Sequence, residues 1–382
     1  MMSEQLPSPA LLPSGFVDRL PLDAQAEASG TETLLSVFAS HGYERVAPPL
    51  LEFEDTLLGG AGAVLADQTF RLMDPDTRRM MALRPDITPQ IARIAATRLH
   101  AAPRPLRLSY AGQSVIAGNG SAGQNERQIG QAGIELIGPD SVEADAEVVG
   151  IAAEALACLG VTAVSFDVTM PPLAPSLIEQ AGLSGAAKTA LMHALDRKDA
   201  TAVAAYGGPI ADTLIALLSA AGPADQALEA LNAADLPSVT RPFSNRLKAS
   251  VDAIRARLPG LQLTVDPVEF RGWKYHTGVC VTVYALESGE ELGRGGRYLC
   301  NDNEPACGLT FRPDAVFRAA PRGKLPERVY IPFGTDFHVA KALREAGYVT
   351  VAALEPHRHP EEEARRLTCS SIASADRLIS LG

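Results

Sequence analysis

Three short polar segments, set far apart along the chain, constrain its fold more than any other feature. They lie at residues 84–90, 131–135 and 271–276. Together they offer carboxylates and an amide suited to an ammonium group, and a guanidinium suited to a carboxylate. A fold that joins them would form a pocket for a small zwitterion. Taken alone, each segment is more often a capped helix, a strand with solvated polar residues or a surface arginine.

The first segment predicts the start of a helix. Asp86 or Thr88 can cap its first turn, where Pro89 is also well tolerated. Apolar residues then recur at helical spacing on one face: Ile87, Ile91, Ile94, Ala95 and Leu99. We therefore expect the carboxylate of Asp86 to lie at the mouth of a buried helix.

The second segment predicts a strand. Period-two geometry puts Gln131, Gly133 and Glu135 on one face, and on the other Ala132, Ile134 and Leu136. An amide and a carboxylate then share a face, and the glycine between them is expected to leave room for a ligand. The third segment adds Arg271 as the partner for a ligand carboxylate.

The bulk composition is that of an ordinary globular protein, with 382 residues, 46% hydrophobic and 21% charged. The net charge of −11 argues against a nucleic-acid partner, which usually requires a basic face. Five cysteines without a CxxC pair indicate free thiols rather than a disulfide framework or a zinc site. No apolar run approaches the length of a bilayer span, and the N-terminus does not resemble a secretory signal. We therefore expect a cytoplasmic protein with no membrane partner, no metal and no cofactor.

The chain changes character at about residues 177–258. This stretch is rich in alanine and leucine at helical spacing and is punctuated by Pro209, Pro223 and Pro237, which predicts an all-helical insert between two halves of a sheet domain. Residues 326–382 have a strand–helix–strand pattern. We therefore predict a core over residues 1–320 that contains the insert, followed by a small, truncated α/β segment over residues 326–382.

As an ordered set, the motifs resemble the catalytic core of class II histidyl-tRNA synthetases over roughly residues 15–320. The resemblance implies an α+β fold, with an antiparallel sheet flanked by helices, that dimerises through its first motif with Pro49 at the interface. In the Arg–Pro–Glu–x–Thr motif, Asp86 stands where a glutamate receives the amino group of histidine. The other matching segments are residues 42–49, 131–135, 271–272 and 295–298.

The departures from that family concern the phosphates of ATP. Adenylate formation needs cations on the triphosphate. Here Ile116 follows the second-motif run 110–115, the next loop is neutral at residues 118–120, and Ala315 lies near the place of the third-motif arginine. Arg312 could replace the third-motif arginine only if Pro313, which follows it directly, lets its side chain reach the site. The resemblance therefore implies a site that binds an amino acid without activating it. The tail also looks too short for a complete anticodon-binding domain.

This combination resembles the regulatory-subunit family of ATP phosphoribosyltransferase, which is derived from histidyl-tRNA synthetases. The resemblance implies a non-catalytic dimer that partners a short-form catalytic subunit in the first step of histidine biosynthesis and transmits feedback inhibition by histidine. The histidine-binding residues it implies are Asp86, Thr88, Gln131, Glu135, Arg271, Tyr275 and His276. An active synthetase with a variant phosphate site, and an amino-acid ligase with another acceptor, remain as alternatives.

The predicted roles follow the charge of the ligand. Asp86, Gln131 and Glu135 would receive its ammonium, and Arg271 its carboxylate. Glu135, Tyr275 or His276 would meet the imidazole. A histidine at a strand start is also commonly just a hydrogen-bonded structural residue, so for His276 both interpretations stay open.

Overall fold

The computed structural model describes residues 11–118, 126–270, 272–273, 275–300, 303–321, 326–374 and 377–381. Most of the polar N-terminal lead, the loop beyond Gly118 that is predicted to be neutral, and Arg271 lie outside these ranges. The chain divides into two compact units, Met1–Pro321 and Arg322–Gly382.

The first unit has twelve strands within its described residues. They are β1 (Glu44–Arg45), β2 (Leu51–Phe53), β3 (Arg71–Met73), β4 (Met80–Leu83), β5 (Leu106–Val115), β6 (Gln128–Ile137), β7 (Val164–Thr169), β8 (Gly222–Pro223), β9 (Leu263–Asp266), β10 (His276–Ala285), β11 (Glu291–Leu299) and β12 (Pro305–Phe311).

The helices of this unit fall into those that flank the sheet and those of the insert. They are α1 (Asp23–Ser40), α2 (Glu54–Leu57), α3 (Thr88–Thr97), α4 (Val142–Cys158), α5 (Leu173–Gln180), α6 (Gly185–Asp196), α7 (Ala200–Tyr206), α8 (Ala211–Ser219), α9 (Ala224–Ala233), α10 (Arg241–Arg257) and α11 (Pro313–Ala319), with 3₁₀ turns at Gly60–Gln68 and Gly208–Ile210.

Nine strands of the described chain form one sheet, in the order β1-β5-β6-β12-β11-β10-β7-β9-β8. The β1/β5 and β7/β9 pairs are parallel, and the other pairs are antiparallel. The predicted hairpin of β3 and β4 also forms, and β2 joins it in a separate small sheet.

Different helices pack against the two faces of the large sheet. The main core lies on the face with α1, α4, α10 and α11, where Ala132, Ile134 and Leu136 of β6 are buried. On the opposite face, α3 buries Ile87 and Ile91 against Leu108 of β5. The predicted division of β6 into two faces is therefore observed, and its polar face lies on the side of α3.

The spacing predicts an all-helical insert, but the insert also contains a short strand. Between α8 and α9, β8 pairs with β9 as the outermost strand of the large sheet. Pro223 lacks a backbone N–H, and an edge strand tolerates this because only one side of it pairs. A two-residue strand that contains proline has no periodic signal in the sequence.

The second unit is a small α/β body. Its described elements are β13 (Arg328–Ile331), α12 (Phe337–Glu345), β14 (Val349–Ala352), α13 (Pro360–Arg366), β15 (Ser371–Ala373) and β16 (Leu378–Ser380). The strand order is β14-β13-β15-β16, and β13 runs parallel to both of its neighbours. Across the described ranges, every helix is too short or too polar to cross a bilayer.

Candidate functional site

A cavity of about 680 Å³ opens on the α3 side of the large sheet, within the first unit. This size is typical of a small-molecule site. Its floor comes from five adjacent strands, β6, β12, β11, β10 and β7. The floor residues are Gln131, Glu135, Gly308, Thr310, Arg294, Gly295, Gly296, Tyr298, Thr282, Tyr284, Asp167 and Thr169.

Asp86 is held at the N-terminus of α3 and lines this cavity. Its Oδ1 accepts hydrogen bonds from the backbone N–H of Thr88 (3.2 Å) and from Nε2 of Gln131 (3.1 Å). Its Oδ2 accepts one from the hydroxyl of Tyr275 (2.9 Å). A carboxylate oxygen accommodates about two donors. Oδ2 therefore keeps the capacity to accept a hydrogen bond from a ligand.

Gln131 orients Asp86. Its Oε1 accepts hydrogen bonds from the backbone N–H of Ile87 (3.1 Å) and the hydroxyl of Ser114 (2.6 Å). A backbone N–H is always a donor, so these contacts fix which amide atom is the oxygen. Both lone pairs of that oxygen are used, and we infer that Gln131 acts on a ligand ammonium mainly through Asp86.

Glu135 is buried among hydroxyl groups. Its Oε1 lies 2.9 Å from the hydroxyl of Thr88 and 3.3 Å from that of Tyr110, and its Oε2 lies 2.9 Å from that of Tyr298. Burial raises the pKa of Glu135 to about 8, although the hydroxyls of Tyr298 and Thr88 favour the charged form. At neutral pH the unliganded site therefore holds Glu135 mostly as the neutral acid, whereas the sequence predicts a carboxylate.

Gly133 does not leave room for a ligand, which corrects the expectation drawn from its position between Gln131 and Glu135. A Cβ at Gly133 would lie 2.6 Å from the hydroxyl oxygen of Tyr110 and 2.7 Å from the carbonyl oxygen of Leu309. The glycine is needed because the Tyr110 ring crosses β6 to reach Glu135.

Aromatic rings form one wall of the cavity. Tyr275 stacks on His276 with centroids 4.5 Å apart, and it meets Tyr298 edge-on at 5.9 Å. Burial, and then the positive charge of Arg294, lower the pKa of His276 to about 3. His276 is thus neutral, and its buried Nδ1 has no hydrogen-bond partner among the described residues. All three predicted imidazole partners, Glu135, Tyr275 and His276, line the cavity.

Among the described residues that line the cavity, two arginines face five acidic residues: Asp86, Glu135, Asp167, Glu269 and Glu291. The guanidinium of Arg294 lies 4.7 Å from the centre of the Trp273 ring, and its Nε is 3.1 Å from Glu291. Nη2 of Arg312 is 3.8 Å from Oδ2 of Asp314. Each of these two arginines therefore has a carboxylate nearby.

The two positions where the synthetases have phosphate-binding arginines lie in different surroundings. Ile116 lines the cavity, whereas Ala315 is fully buried in the main core. Arg312 does reach the cavity, because the residue before Pro313 is extended and precedes the first turn of α11.

Two further arginines of the motifs bind other parts of the protein. Arg84 is buried and donates hydrogen bonds to the carbonyl oxygens of Gln113 (2.8 Å) and Pro48 (2.9 Å). Arg297 pairs with Asp145 on α4 at 2.6 Å. Sequence reasoning also missed Tyr110 and Tyr298 as partners of Glu135, because those contacts depend on strand register.

Pro49, the predicted dimer-interface residue, is exposed in the single chain. Its carbonyl oxygen accepts a hydrogen bond from Nε2 of Gln90 at 2.8 Å. The loop after β1 is therefore attached to α3, which also begins at the cavity.

The fold and the cavity place this chain among proteins built like class II histidyl-tRNA synthetases. The histidyl-tRNA synthetase family model matches residues 15–316. A Bacillus halodurans protein described as an ATP phosphoribosyltransferase regulatory subunit/histidyl-tRNA synthetase has the same fold, with a TM-score of 0.80 at 22% identity over 94% of this chain and 97% of that chain.

Closer relatives define the family within that class. The ATP phosphoribosyltransferase regulatory subunit of Gluconobacter oxydans is 57% identical over 96% of each chain. That of Paramagnetospirillum magneticum is 50% identical over 97% of this chain and 98% of its own. The chain therefore belongs to the ATP phosphoribosyltransferase regulatory subunit family, which confirms the family and the α+β class II fold predicted from the motifs.

Proposed function

We propose that this chain binds free histidine in the cavity and transmits feedback inhibition to a separate, short-form ATP phosphoribosyltransferase catalytic subunit. The complex would carry out the first step of histidine biosynthesis, and this chain would contribute no reacting group. The names of the relatives support the regulatory part of the proposal.

The observation that best supports histidine as the ligand is the set of hydrogen bonds around Asp86. Gln131 and the Thr88 backbone N–H hold one carboxylate oxygen in place, while the other faces the cavity beside the hydroxyl of Tyr275. A half-buried carboxylate that is already oriented by hydrogen bonds is well suited to an ammonium group, because less order must be imposed on binding.

The remaining ligand contacts are proposed by role. Arg271 would bind the carboxylate of histidine, and His276 and Tyr275 would flank its ring. Thr88 would act indirectly, since its hydroxyl is 2.9 Å from Glu135. A ligand ammonium near Glu135 would favour ionisation of this acid.

We further propose that the chain dimerises through the loop that carries Pro49 and acts in the cytoplasm without nucleic acid. The five free cysteines support a reducing compartment. The exposure of Pro49 and Leu50 in the single chain supports an interface there.

Isothermal titration calorimetry with histidine tests the ligand. Asp86→Asn keeps the size of the side chain but removes its charge, so we expect affinity to fall at least about tenfold at this site. Asp252→Asn is the matched control, because Asp252 is exposed and its contact is with Lys248 (2.6 Å) on the same helix. Equal losses in both variants, or none in Asp86→Asn, would exclude the assigned site.

An adenylate-forming enzyme is the second candidate, and the presence of Arg294 and Arg312 in the cavity favours it. Histidine-dependent ATP–pyrophosphate exchange separates the two functions. We expect no exchange above a blank without protein, because Ile116 lines the cavity where the second-motif arginine is expected and Arg312 lies 3.8 Å from Asp314. Exchange that Arg312→Ala abolishes would establish the enzyme instead.

A further inference from the structure

The cavity is longer than one histidine requires. Gln131, which holds Asp86, is on β6, and Asp167 is on β7, four strands further along the sheet. Four strand spacings of about 4.8 Å amount to roughly 19 Å. A histidine molecule is only about 7 Å long, with some six bonds of roughly 1.5 Å between its most distant atoms. A ligand on Asp86 therefore leaves the β7 end of the cavity open.

That end presents a cation, a hydroxyl and an anion in one row. Thr282 of β10 is in register with Arg294 of β11 on one side and with Asp167 of β7 on the other. All three line the cavity, so their side chains are on the same face of the sheet. The row has the charge order of a zwitterion, with a neutral hydrogen-bonding group between the charges.

Thr282 and His276 offer polar atoms to a ligand in the cavity. Thr282 is only 4% exposed and lines the cavity floor. Nδ1 of His276, which lines the same cavity, is buried without a hydrogen-bond partner in the described chain, and buried polar atoms nearly always have one.

Asp167 has a carboxylate oxygen that can accept a hydrogen bond from a cation. Its Oδ1 accepts a hydrogen bond from the hydroxyl of Thr264 (2.8 Å), which leaves Oδ2 for another donor. Burial, and then the charges of Asp266 and Glu269, raise the pKa of Asp167 to about 6. An ammonium group beside Oδ2 would offset all three effects.

We propose that the β7 end of the cavity binds a second histidine, with its carboxylate on Arg294, its ammonium on Asp167 and the Thr282 hydroxyl between them. Two strand spacings, about 10 Å, separate the flanking backbones. Two charge-assisted hydrogen bonds of about 2.8 Å plus the roughly 3 Å between ammonium and carboxylate fill about 9 Å. Tyr284, two residues from Thr282 on the same strand, offers a ring face for the imidazole.

This inference depends on the proposed function, and calorimetry with histidine on the full chain separates the two. Wild type should bind two histidines per chain. Asp167→Asn should bind one, since it keeps the hydrogen bond to Thr264 but loses the charge. Asp86→Asn should also bind one. Thr282→Val, which is nearly isosteric, should weaken only the second site, by about tenfold.

Melting temperatures of all variants identify any that fail to fold, and Thr282→Val then remains as an independent test of the second site. One histidine per chain in wild type, unchanged by Asp167→Asn and Thr282→Val but lost in Asp86→Asn, would overturn the second site and leave the first intact. No binding to any of the folded proteins would overturn both.

Discussion

Two carboxyl groups in the cavity differ because their neighbours differ. Asp86 accepts hydrogen bonds from a backbone N–H and an amide, whereas Glu135 is enclosed by hydroxyls and is 1% exposed. Desolvation disfavours the charged form of a buried acid, and it raises the pKa of Glu135 to about 8. From the sequence alone, the two residues look like equivalent carboxylates.

The pKa of Glu135, about 8 in the folded state and near 4.5 in the unfolded chain, makes stability depend on pH. Between these values the folded state keeps a proton that the unfolded state has released. The free energy of unfolding therefore falls as pH rises through this window, by up to about 1.4 kcal/mol per pH unit.

Glu135→Gln removes this titration. We expect urea denaturation at pH 5, 6.5 and 8 to show a shallower loss of stability in Glu135→Gln than in wild type. Glu229→Gln, at an exposed position of α9, should follow wild type. The same pH dependence in all three proteins would show that Glu135 ionises normally.

At the scale of elements, the pairing of β5 with β6 builds the site. Tyr110 is opposite Gly133, and its hydroxyl reaches Glu135 only because Gly133 has no side chain. The same pairing lets Ser114 fix the amide of Gln131. Strand register thus decides which polar groups can face a ligand.

Gly133→Ala should destabilise the fold by about 1–3 kcal/mol, a typical cost of overpacking a buried position. Its Cβ would meet the backbone carbonyl of Leu309, which has little freedom to move within the sheet. Gly260→Ala is the control, because a Cβ there has nothing within 4 Å. Chemical denaturation gives both changes, and a Gly133→Ala midpoint equal to wild type would contradict the close approach.

Local patterns predict elements well where a short stretch contains the whole signal. The predicted helix begins at Thr88 with Pro89 in its first turn, although its N-cap is Ile87, without a side-chain cap, rather than Asp86 or Thr88. The two faces of β6 follow from its period of two. The short strand β8 does not follow, because its partner β9 is about forty residues away along the chain. The neutral state of Glu135 needs Tyr110 and Tyr298, which belong to other strands.

At the scale of the molecule, the ordered motifs predict the family and the class II fold. They do not predict that Arg312 enters the cavity despite the proline after it, or that Thr282 aligns with Asp167. Both depend on long-range placement of strand ends. What the described chain presents is an open cavity on a synthetase-like sheet, whose described lining is aromatic and has more acidic than basic residues, which supports an amino-acid sensor better than a site for a triphosphate.

The most direct measurement is histidine inhibition of ATP phosphoribosyltransferase activity in a complex of this chain with the short catalytic subunit from the same organism. We predict inhibition with wild type and with the Asp252→Asn control. With Asp86→Asn, the histidine concentration needed for half inhibition should rise at least about tenfold. Equal sensitivity of Asp86→Asn and wild type, in complexes of equal activity, would contradict histidine sensing through this cavity.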